Sequence, residues 1–145
     1  MRVKKAPMNV REIIANVKSL NLPEGSYIVY GSGPMAAAGI RESGDIDMLV
    51  NKKVFDRLKR EGWQEINKGP NDKPLVRDIF EAHLHWEFSP YKPKLKHLLD
   101  TAREVNGVPF ASLEEVRKWK AASGRPKDIV DIELINKHMR KHAGQ

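Results

Sequence analysis

YIVYGSGPMAAAGIRESGDIDMLV, residues 27–50, is the stretch whose reading decides the fold. Apolar runs at Tyr27–Tyr30 and Met48–Val50 flank a Gly-Ser-Gly turn, an alanine-rich segment and the triplet Asp45-Ile46-Asp47. The order reads as strand, turn, short helix, strand. Side chains alternate along an extended chain, so Asp45 and Asp47 share one face and Ile46 turns into the core. Two carboxylates held that close repel, and a divalent cation offsets the repulsion. Paired aspartate oxygens suit Mg²⁺, which completes its shell with water and substrate phosphates. Gly31 and Gly33 let backbone N–H groups approach an anion, and the Ser32 hydroxyl adds a donor. Pro34 fits the first turn of a helix whose N-terminus favours negative charge. Phosphate on one side and metal carboxylates on the other describe a nucleoside triphosphate site.

Upstream, Asn9 with Glu12 forms a capping-box pattern, and Val10, Ile13, Ile14, Val17 and Leu20 repeat at helical spacing. Downstream of the alanines, Arg41 lies in a polar loop beside the carboxylates, where it is either a phosphate contact or an exposed loop residue. Asn51 caps a predicted helix through about Glu61, closed by Gly62. Residues 63–66 read as a strand and 67–74 as a turn-rich loop. Residues 75–88, LVRDIFEAHLHWEF, read as one or two strands with a break near Ala82. His83 and His85 alternate onto one face. A zinc site needs further ligands, and no other His or Cys has a supporting spacing, so both read as strand histidines near the pocket. His97, His138 and His142 read as helix-surface residues.

A helix is expected from about Pro93 to Val105, then a short extended segment at Val108–Phe110. Ser112 with Glu115 opens a helix through about Ala122. Pro126 and Asp128 suit the start of the last helix, and Ile129, Ile132, Ile135 and Met139 form its expected core stripe. In the turn Gly124-Arg125-Pro126-Lys127-Asp128, Arg125 or Lys127 reaches phosphate, or Arg125, Asp128 and Asp131 form a salt-bridged structural turn.

The strand, Gly31-Ser32, short helix and Asp45-x-Asp47 strand together resemble the nucleotidyltransferase superfamily related to DNA polymerase beta. Lys120, Gly124, Arg125, Lys127, Asp128 and Asp131 match the ending of its small stand-alone, antitoxin-type members. The resemblance covers most of the chain from Tyr27 onward. It implies an α/β (α+β) nucleotidyltransferase fold: a small mixed sheet, helices on one face, and a helical C-terminal portion at about 93–145 closing the cleft. It also implies a third carboxylate on a later strand. Glu87, between Trp86 and Phe88, is favoured for that place, with Glu81 and Asp78 as competitors; many relatives carry Asp there. The expected activity is Mg²⁺-dependent transfer of a nucleoside monophosphate from an NTP, ATP included, to an acceptor hydroxyl. Asp45, Asp47 and Glu87 would hold two metal ions, and Gly31, Ser32, Gly33, Arg41 and Lys127 the nucleotide. The alternative is a weakly active or non-catalytic nucleotide-binding partner of a toxin-like protein, or a homodimer.

The bulk composition sets the remaining bounds. A chain of 145 residues suggests one domain. No stretch approaches the ~20 apolar residues of a membrane helix, so no membrane partner is expected. The basic N-terminus lacks the apolar region of a secretory signal. There are no cysteines, which removes disulfides, thiolate metal sites and Cys nucleophiles and fits a cytoplasmic location. A formal charge of +7 favours anionic partners. Nucleic acid is one candidate, although no basic run is interleaved with aromatics as in a single-strand platform.

Overall fold

The structure, a computed structural model, describes residues 6–143. The Asn9 side chain accepts the Glu12 N–H at 3.0 Å, and the Glu12 carboxylate accepts the Asn9 N–H at 3.2 Å, so the capping box opens α1 (Val10–Lys18). Ile13, Ile14 and Val17 are its buried side. β1 (Tyr27–Tyr30), α2 (Gly33–Ala37) and β2 (Ile46–Val50) follow. Asn51 caps α3 (Lys52–Arg60) by accepting the Val54 N–H at 2.9 Å, and Val54, Phe55 and Leu58 are buried.

The chain then forms β3 (Gln64–Glu65), β4 (Leu75–Arg77) and β5 (Phe80–His83). The break between the last two falls at Asp78-Ile79, not near Ala82. Asp78 has φ +52°, and the pairing of Arg77 with Phe80 makes this a two-residue hairpin. The expected helix from Pro93 to Val105 is also shorter. α4 covers Leu95–Asp100, and residues 103–105 instead form β6 (Arg103–Val105). Asn106 and Gly107, with φ +48° and +85°, turn the chain into β7 (Val108–Phe110). Asn-Gly between two valines is a hairpin signal, and it prevails here over helical spacing. α5 (Leu113–Ser123) opens on Ser112, which accepts the Glu115 N–H at 3.2 Å, and α6 (Pro126–Lys141) follows the left-handed Gly124.

The seven strands form one mixed sheet in the order β3-β4-β5-β2-β1-β7-β6. β2 runs antiparallel to β1 and parallel to β5, and β1 runs parallel to β7. Alternation divides the core in two. Tyr27, Val29, Ile46, Met48, Phe80 and Ala82 pack with α1 and α3 on one face. Ile28, Tyr30 and Leu49 pack with the helical C-terminal portion on the other, against Trp86, Leu98, Val116, Trp119 and Ile135. That portion therefore roofs the face towards which Asp47 points. The expected α6 stripe holds in part. Ile135 is fully buried, whereas Ile129 is 55% exposed beside Val130 and Leu134.

Candidate active site

The register of β1, β2 and β5 builds the floor of the site. Tyr30 pairs with Asp47, and Asp47 pairs with Glu81, so the three side chains stand in one row. His83, two residues beyond Glu81 and opposite Leu49, lies on the same face. The ligand atoms of Asp47, Glu81 and His83 all lie within 4.8 Å of one another. His83 Nε2 is 3.5 Å from Asp47 Oδ1 and 3.4 Å from Glu81 Oε1, yet it makes no well-formed hydrogen bond. Lys68, from the loop before β4, reaches the same Glu81 oxygen at 2.6 Å.

Electrostatics mark these groups. Burial pushes the Asp47 carboxyl up; His83 opposes the shift, and the Asp45 and Glu81 charges add to it. The His83 ring holds Glu81 down at about 2 against the effect of burial, and Lys68 helps. Burial alone would lower His83, but Asp47 and Glu81 outweigh it and raise the imidazole to about 9.

A cleft of about 810 Å³ lies above this floor. Gly31, Ser32, Asp45 and Asp47 line one side, and Trp119, Lys120, Arg125, Lys127 and Asp131 the helical side. Gly31 has φ +65°, and a Cβ there would collide with the Asp47 carboxylate. The turn thus lies directly against the aspartate, at a spacing only glycine allows. Ser32 and Ser43 share a hydroxyl contact at 2.5 Å, and Ser43 donates to the Asp45 carbonyl at 2.6 Å, tying turn and carboxylate loop together. Gly33 is absent from the cleft wall. It sits in α2, where an added Cβ would strike Val29, so its smallness serves packing.

The expected site residues gather in this cleft with different roles. Glu87 lies on the wall beside His85, 3.6 Å away, and it is Glu81 that the sheet places against Asp47. Arg41 is held by Asp131 through two bonds of 2.9 and 3.2 Å. Lys127 lines the cleft with no ion-pair partner among the described residues. Arg125 is bound to Asp128 at 2.8 and 3.1 Å, the salt-bridged version of that turn. Sequence reasoning set His83 aside because it sought other His or Cys residues, whereas the groups beside it are carboxylates. Alternation in Phe80-Glu81-Ala82-His83, set by the hairpin at Asp78, is the signal that finds it.

No protein-family model and no curated protein matches the chain. Among solved structures the chain is similar to ANT(2")-Ia, an aminoglycoside nucleotidyltransferase, in complex with adenylyl-2"-tobramycin. The TM-score is 0.53 at 15% identity, over 90% of this chain and 87% of that one. The likeness is one of fold: a mixed seven-stranded sheet with six helices, in a nucleotidyltransferase-like arrangement.

Proposed function

We propose that this protein transfers a nucleoside monophosphate from a nucleoside triphosphate to an acceptor hydroxyl. The observation that carries this reading is the pairing of Asp47 with Glu81 on the cleft floor, directly beneath the Gly31-Ser32 turn, in a nucleotidyltransferase-like fold. The donor set suits a divalent cation: neighbouring carboxylates that repel one another, with a buried ring nitrogen facing both and making no well-formed hydrogen bond. Asp47 and Glu81 would hold the ion, with Asp45 beside them. When bound, such an ion neutralises triphosphate charge and lowers the pKa of an acceptor hydroxyl.

The chain's own groups supply the rest. The Gly31 backbone and the Ser32 hydroxyl face the position of the leaving phosphates. Lys127 and Lys92, on the cleft wall, offer charge to the same phosphates, and Arg41 stands behind them on Asp131. The acceptor oxygen bonds to the α-phosphorus as the bond to the bridging oxygen breaks and pyrophosphate leaves. The acceptor proton passes to a carboxylate of the cleft that does not hold the ion, Glu87 on the wall in this reading. Trp86 and Trp119, 4.9 Å apart and almost wholly buried, give the cleft an apolar edge on the helical side.

Calorimetric titration of each NTP, with and without divalent metal, tests the reading on the wild type and on Asp45→Ala/Asp47→Ala. Metal-dependent binding lost in the double variant is expected, followed by label transfer from an α-labelled NTP. A folded wild type that binds no nucleotide sinks the proposal. A partner-binding protein of little turnover is the second reading. It is favoured by Ile129, Val130 and Leu134, which are apolar and exposed along one side of α6. A change of mass in solution on Ile129→Asp/Leu134→Asp would support it.

A further inference from the structure

We propose that His83 is itself a ligand of the ion held by Asp47 and Glu81, making a mixed nitrogen–oxygen site that prefers Mn²⁺ to Mg²⁺. The inference rests on the metal-binding part of the function proposed above and adds the identity of the donor atoms.

Three observations carry it. First, the backbone aims the ring. β5 ends at His83, and its register brings the side chain onto the Asp47 face. Trp86 packs edge-on against the imidazole, with centroids 4.8 Å apart at 79°, and fixes its tilt. Second, Nε2 is buried, in a residue 8% exposed, and has no hydrogen-bond partner. It stands at ion-pair range of both carboxylates without a well-formed hydrogen bond to either, an arrangement in which a cation can displace the ring proton and bind all three. Third, the spacings are those of ligands around one ion. Metal–ligand bonds of ~2.0–2.2 Å put neighbouring donor atoms about 3–3.5 Å apart. His83 Nε2 stands 3.5 and 3.4 Å from the two carboxylate oxygens.

Donor chemistry then selects the ion. Mg²⁺ is hard, keeps its waters and takes oxygen ligands, whereas an imidazole nitrogen adds affinity for first-row transition ions. Lys68, now on Glu81 at 2.6 Å, is half-exposed on a surface loop and is free to yield that oxygen or share it. His85 lies two residues on, exposed beside Glu87, and offers a built-in control.

The test uses the full chain with Mn²⁺ and pulsed electron paramagnetic resonance. The expected result is a ¹⁴N coupling of directly coordinated imidazole in the wild type and in His85→Ala, and its loss in His83→Gln. By calorimetry, His83→Gln should weaken Mn²⁺ binding by at least about tenfold, the lower end of what losing even an outer-shell partner costs, and Mg²⁺ binding far less. His83→Asn serves as a second variant should His83→Gln fold poorly, and the wild-type spectrum is informative without either. Mn²⁺ bound without nitrogen coupling, or equal losses for both metals, overturns the inference and leaves nucleotidyl transfer standing. A wild type that binds neither ion overturns both this inference and the metal-dependent reading.

Discussion

Two clusters of buried charge line the same cleft, and they are built in opposite ways. At the joint of α5 and α6, Lys120 is 3% exposed and Asp128 fully buried, yet every charge is met. Lys120 contacts Asp131 at 2.9 Å and Asp128 at 3.4 Å, Arg125 grips Asp128, and Arg41 grips Asp131. On the sheet floor, Glu81 and His83 are buried and Asp47 partly so, but the contacts of His83 with both carboxylates are long and Nε2 makes no well-formed hydrogen bond. A closed network holds parts in place; an open one waits for a ligand. Burial and charge alone do not separate support from chemistry, whereas the degree of satisfaction does.

The largest expected effect breaks the open cluster. Asp47→Asn should cut nucleotidyl transfer by about a thousandfold or more, the scale of losing a group that stabilises the transition state. Without metal, the same change should raise Tm, because burial and the neighbouring carboxylates penalise the Asp47 charge. Thermal melts beside an activity assay check both halves. A fall in Tm would place Asp47 with the supporting cluster.

Breaking the closed cluster should do the reverse. Asp128→Ala strips the partner from Arg125 and one of two from Lys120, and should cost about 3–5 kcal/mol by denaturant titration. The acid limb sharpens the point. Burial raises the Asp128 carboxyl, but hydrogen bonds from Arg125 and Ser123 and the charge of Lys120 overcome this and hold it at about 2. Its folded value lies below its unfolded one. Its contribution, on the order of 2 kcal/mol, is therefore full above about pH 4 and is lost as pH falls towards 2. Asp128→Asn should flatten that part of the stability profile.

Smaller effects test the margins. Lys68→Met should tighten divalent-metal binding by up to about fivefold, since a half-exposed ammonium on a carboxylate is worth ~0.2–1 kcal/mol. Unchanged affinity would mean that the lysine and the ion do not share Glu81. Smallest of all, Ile129→Ser should shift stability by less than about 0.5 kcal/mol, while Ile135→Ala on the same helix should cost about 2–5.

The legible parts were those governed by local rules. The polar caps at Asn9, Asn51 and Ser112 and the inward Ile46 beside Asp47 depend on neighbours in sequence, and the structure agrees with each, whereas Asp45 lies in a bend before β2 and outside the Asp47, Glu81 and His83 cluster. Which carboxylate lies against Asp47 was not of this kind. Glu81 and Glu87 both sit between apolar residues, and only the pairing of β5 alongside β2 sets Glu81 against Asp47. That pairing is a long-range choice, fixed by a hairpin at Asp78 that the apolar run around it concealed. Leu95, Leu98, Leu99 and Ala102 likewise suggested one helix through Val105, but Asn106-Gly107 turned its end into a strand. Ile129 was assigned inward by spacing, yet α6 lies at the margin and buries a narrower stripe.

The bond between Arg41 and Asp131 spans ninety positions of chain. At about 5–20 residues per second, a ribosome that has just added Arg41 needs roughly 5–18 s to add its partner. β1 waits almost as long for β7, its parallel neighbour at Phe110. Until then the loop that leads into Asp45 and Asp47 is tied to earlier parts of the chain, Met8 and Ser32, through Ser43. The helical side of the cleft, which holds Arg41 through Asp131, is thus the last part of the chain to be made.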